Sequence, residues 1–72
     1  MLSVSHTLDF VVTFHELRRK WTKMAETDAV QLRKIQSRYF GNQVNGHRVK
    51  QIGGKQFSAD LQWMRKKLVE GQ

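Results

Sequence analysis

The chain has 72 residues and a mass of 8.5 kDa, room for one domain and not for two, because a chain this short buries only about 60% of its unfolded surface. It contains no cysteine, which excludes disulfide staples, thiolate metal sites and a cysteine nucleophile, and no proline to interrupt a helix. Thirteen Lys and Arg against six Asp and Glu give a net charge of +7 and a pI near 10.4, a balance that draws nucleic acid, anionic headgroups or acidic protein faces.

Hydrophobic residues at 39% with charged residues at 26% belong to a folded domain rather than a disordered tail. The charge is unevenly spread: residues 1–17 hold Asp9 and Glu16 and no Lys or Arg, so all thirteen cations lie from Arg18 onward. The longest strictly apolar run, Phe10-Val11-Val12, is far short of the roughly 20 residues that span a bilayer. The first residues lack the basic start and apolar stretch of a secretory signal, and the expected location is the cytoplasm.

In chain order, Ser3 to Phe14 alternates. Val4, His6, Leu8, Phe10, Val12 and Phe14 fall on even positions and mostly polar residues on odd ones, which predicts a half-buried strand rich in β-branched and aromatic side chains. A helix from about Thr7 competes, since Phe10, Phe14, Leu17, Trp21 and Met24 repeat at steps of four and three. The strand is the preferred reading, because Thr13-Phe14-His15-Glu16 has the form of a capping box that would start a helix only there, running to Met24. Ala25 to Asp28 reads as a break with Thr27 as the next N-cap. A second helix follows over 28–40, with Leu32, Ile35, Tyr39 and Phe40 inward, Tyr39 at a boundary with its hydroxyl wet, and Gly41-Asn42 as the stop. Asn45-Gly46 and Gly53-Gly54 are turn signals around short strands, giving a hairpin over 47–57 and a further candidate strand at Gln43-Val44. Ser58 is placed to cap a final helix whose inner face is Leu61, Met64 and Leu68. The predicted core also takes in Val4, Leu8, Val12, Val49 and Ile52. The expected fold is α+β: an N-terminal strand, two helices, a β-hairpin and a C-terminal helix.

No catalytic constellation emerges. The six carboxylates are scattered, and His6, His15 and His47 lack the one-turn spacing of a metal site, so no enzyme activity, metal or cofactor is expected. Gly53-Gly54 lacks the further glycines, lysine and hydroxyl of a phosphate-cradling loop and fits a hairpin turn better. Trp63 falls beside the last helix's apolar stripe and is either a second core edge or an exposed contact. The basic residues remain: Arg33, Lys34, Gln36 and Arg38 on the second helix, and Arg48, Lys50 and Lys55 on the hairpin. A helix that reads a groove beside a hairpin that grips the adjacent backbone would use this layout.

The order of elements resembles the small winged-helix DNA-binding proteins of the excisionase and MerR type. The stretches that carry the resemblance are Val11-Val12-Thr13-Phe14-His15-Glu16-Leu17, Ala29 to Tyr39, His47-Arg48-Val49-Lys50 through Gly53-Gly54-Lys55, and Phe57 to Met64, together about residues 11–68. The resemblance implies that Arg33, Lys34, Gln36 and Arg38 face bases and phosphates of double-stranded DNA while Arg48, Lys50 and Lys55 form the wing contacts. The function expected on this basis is a DNA-binding accessory or regulatory protein, an excisionase-like factor or small transcriptional regulator. Two alternatives stand beside it. One is a protein-interaction module of a phage or mobile element, meeting a host protein, an acidic partner or a second copy through residues 3–12. The other is a single-strand binder stacking bases on Trp63 and Tyr39.

Overall fold

The computed structural model describes residues 4–41 and 54–70. Among these residues there are three α-helices and no strand: α1 (Val4–Arg19), α2 (Glu26–Tyr39) and α3 (Gly54–Glu70), with a single 3-10 turn (Trp21–Lys23) between the first two. The expected α+β fold with an N-terminal strand and a wing is therefore corrected to a helical one. Residues 43–53 of the expected strands and hairpin lie outside the described residues, whereas its last part, Lys55 to Phe57, is the first turn of α3.

The N-terminal segment shows why the strand loses. Alternation would bury Leu8 and Val12 together with Phe10 and Phe14. Instead Phe10, Phe14 and Leu17 are fully buried, while Leu8 is 59% and Val12 46% exposed. Steps of four and three put the first three on one side of a helix, where each large side chain buried contributes about 1.5–3 kcal/mol. The β-branched residues of this segment cost a helix at most about 0.7 kcal/mol apiece, so burial decides the outcome. Thr13, expected to cap a helix, is instead a buried residue inside α1.

α1 tightens as it ends. The Lys20 amide donates to the Leu17 carbonyl at 3.0 Å, Lys23 to Lys20 at 2.9 Å and Met24 to Trp21 at 3.3 Å. Met24 and Ala25 then adopt extended backbone, and α2 starts at Glu26. The break expected here is present, but its N-cap is Ala25, which offers no side-chain oxygen; Glu26 and Asp28 in the first turn answer the helix dipole instead. The stop is as expected. The amides of Phe40 and Gly41 both donate to the Gln36 carbonyl, at 2.8 and 3.0 Å, and Gly41 takes φ +58°, a left-handed conformation that only a residue without a Cβ adopts freely.

α3 begins four residues before the expected cap, so Ser58 lies exposed within the helix. Starting early adds Phe57 to the face that carries Asp60, Leu61 and Met64. The gain is aromatic packing. The Phe57 ring stacks on Phe10 with centroids 4.3 Å apart and meets Tyr39 edge-on at 5.6 Å, Phe10 meets Tyr39 at 4.8 Å, and Phe14 lies 4.4 Å from Phe40. Every phenylalanine of the chain and its one tyrosine join this cluster, which ties all three helices together. Tyr39 is fully buried, so the wet boundary position expected for it is also corrected. Trp21, Met24, Trp63 and Leu68 pack around the rim.

Candidate nucleic-acid interface

With its inner face committed to the core, α2 turns Val30, Arg33, Lys34, Ser37 and, at one edge, Arg38 outward. These five residues line a single shallow depression. Arg33, Lys34 and Arg38 are thus brought together. Gln36 is not: two residues on from Lys34 it lies nearly across the helix axis, half-buried, its carbonyl receiving the two closing amides. Lys55 is exposed in the first turn of α3 and shares no ion pair or hydrogen bond with the α2 residues. Arg48 and Lys50 lie outside the described residues.

The two arginines of this face are held differently. Arg33 is exposed, and its guanidinium sits 4.9 Å from the centre of the Trp21 ring, a contact between α2 and the 3-10 turn worth about 0.5–1 kcal/mol at an open site. That contact lays α2 against the 3-10 turn, whose flanking sequence holds Arg18, Arg19, Lys20 and Lys23. Arg38 is bound to α3. Its Nη1 donates to Asp60 Oδ2 at 2.6 Å, and the same oxygen accepts the Tyr39 hydroxyl at 2.6 Å, while Gln56 Nε2 donates to Oδ1 at 3.1 Å. Asp60 is only 3% exposed. Burial, reinforced by the hydrogen bond to Asp60, pushes the Tyr39 hydroxyl up to about 12, and the hydrogen bond to Asp60 likewise raises Arg38.

Asp60 is the residue that sequence reasoning passed over, as one of six scattered carboxylates. Its signal was its position, a lone acid one turn beyond Phe57 and one turn before Met64 on an apolar stripe. A charge there needs a partner, since an unpaired buried carboxylate is strongly disfavoured.

Two of the other five carboxylates join helices as well. Asp9 of α1 pairs with Arg65 of α3, and Lys67 of α3 lies 3.4 Å from Asp28 of α2 and 3.1 Å from Glu70. The hydrogen bond to Glu70, and after it the one to Asp28, raise Lys67. With four acids so occupied, the described residues leave Arg18, Arg19, Lys20, Lys23, Arg33, Lys34, Lys55 and Lys66 with no carboxylate partner. Trp63 is a half-buried core edge with the Lys67 ammonium 5.9 Å from its ring centre.

No described helix is long and apolar enough to cross a membrane. No protein-family model matches the chain, and comparison with curated proteins and with solved structures finds no similar protein.

Proposed function

We propose that this domain binds the phosphate backbone of double-stranded DNA with the outer face of α2, acting as an accessory or regulatory protein in the cytoplasm. The observation that carries the reading is the grouping of Arg33, Lys34 and Arg38 around one shallow depression on α2, with Arg33 laid over Trp21 of the neighbouring 3-10 turn. The outer face of a 14-residue helix is about 21 Å long and can lie along a groove while its cations meet phosphates. Arg33 and Lys34 supply the charge. Arg38, drawn to Asp60, fixes the rotation of the helix that presents them.

Titration of a fluorescent duplex at several salt concentrations tests this. Binding should weaken steeply with salt, and the R33A/K34A double variant should lower the slope of log K against log salt by about 1.8, or 0.9 per phosphate contact removed. K66A on the exposed side of α3 is the control and should leave the slope unchanged. No binding at low salt, or a slope that R33A/K34A does not alter, ends the proposal.

A further inference from the structure

A second concavity differs in kind from the open face of α2. It lies where the end of α1, the 3-10 turn, the start of α2 and the end of α3 meet, with a volume of about 290 Å³. Its lining combines buried Leu17, half-buried Met24 and exposed Ala25 with a charged rim of Lys20, Lys23, Asp28, Lys67 and Glu70. We propose that this cleft is a binding site for a small organic monoanion with an apolar body, such as a short-chain carboxylate.

The 3-10 turn supplies the cationic wall. With three residues per turn, side chains three apart eclipse one another, and Lys20 and Lys23 are so related, with the Lys23 amide on the Lys20 carbonyl. Both line the cleft, while Trp21 between them is taken by Arg33. Two like charges on one wall repel, and neither has a carboxylate partner. The acids of the opposite wall cannot serve, because Lys67 holds both: Asp28 at 3.4 Å and Glu70 at 3.1 Å.

Charge then selects the ligand. Three ammonium groups against two carboxylates leave the cleft as a whole with one unit of positive charge, two on the Lys20 and Lys23 wall set against minus one around Lys67. A singly charged head neutralises it. A dianion such as a phosphate monoester would bring a second negative charge toward Asp28 and Glu70. The apolar lining from Leu17, Met24 and Ala25 accepts a hydrocarbon body, and a volume near the lower end for small-molecule sites keeps that body short.

Lys20 and Lys23 belong both to the cleft and to the basic stretch invoked for DNA, so the test reads the cleft through a ligand that the outer face of α2 does not bind. Hexanoate is titrated into the ¹⁵N-labelled chain and followed by amide shifts. The shifts should centre on Leu17, Lys20, Lys23 to Asp28 and Lys67 and saturate in the millimolar range, with K20A/K23A weakening binding about tenfold. Hexanol, which lacks the charge, acetate, which lacks the body, and hexyl phosphate, which adds a charge, should each bind about tenfold more weakly than hexanoate. R33A/K34A should leave hexanoate binding unchanged. The proposal is overturned if acetate matches hexanoate, which would mean simple counterion association, or if hexyl phosphate binds as well. Indifference to K20A/K23A, or shifts centred on Arg33 and Lys34, would equally remove it. Both lysines lie on the surface, and circular dichroism of K20A/K23A confirms that any loss is not unfolding.

Discussion

The two edges of α2 hold an arginine each, five residues apart, and use it in opposite ways. At the edge toward the 3-10 turn, Arg33 lies over Trp21 in contact with solvent. At the edge toward α3, Arg38 reaches Asp60, which is almost dry. The residue type is the same; the neighbour decides. A carboxylate withdrawn from water demands a cation and hydrogen-bond donors, whereas an aromatic ring only favours one. One arginine becomes part of the scaffold, and the other stays available to an outside phosphate.

Substitution should widen this contrast. The largest effect is expected at the dry edge: Asp60→Ala strands the Tyr39 hydroxyl and part of the Arg38 guanidinium and should cost about 3 kcal/mol in urea unfolding, the low end for a broken buried pair because Arg38 stays 28% exposed. A cost below about 1 kcal/mol would mean the two edges are energetically alike.

The next effect is a dependence on pH. Folding favours the protonated Tyr39 hydroxyl, whose pKa rises from the ordinary 10.0 to about 12. The stabilisation is therefore complete below pH 10 and is lost as pH climbs from 10 to 12. Over that interval the chain should lose about 2–3 kcal/mol beyond what Tyr39→Phe loses, as read from unfolding curves of both at pH 9, 10, 11 and 12. Parallel curves would place the hydroxyl outside the Asp60 network.

At the wet edge, Arg33→Ala should cost only about 0.5–1 kcal/mol of stability while reducing the salt slope for DNA by about 0.9. Smallest of all is Leu8→Ala on the outer side of α1, expected within about 0.5 kcal/mol of the parent. Had residues 3–14 formed a strand with Leu8 inward, the same change would cost about 2–5 kcal/mol.

That last comparison explains how far the fold was legible. Phe10 and Phe14 are four apart, and residues four apart share a face in a strand as well as in a helix, so the largest side chains could not separate the two readings. Leu8 and Val12, the residues that could, are apolar but exposed. Where local signals and packing agreed, the sequence was readable: α2 begins two residues from its expected start and ends at the expected glycine, and Leu61 and Met64 face inward on α3. The start of α3 was hidden because Ser58 is a good cap in isolation, and it is the distant rings of Phe10 and Tyr39, packed on Phe57, that make an earlier start worthwhile. Of the candidate site, the cations of α2 could be read from spacing. The commitment of Arg38 could not, because its acid lies 22 residues away in the chain.

Both tryptophans of this chain carry a cation against the indole, Arg33 beside Trp21 and Lys67 beside Trp63. Indole emission responds to nearby charge, so the molecule holds two intrinsic optical reporters, one in the 3-10 turn beside α2 and one in the middle of α3. A Trp63→Phe variant would leave Trp21 as the sole emitter, and its spectrum would register, without any label, each time an anion draws Arg33 off the ring.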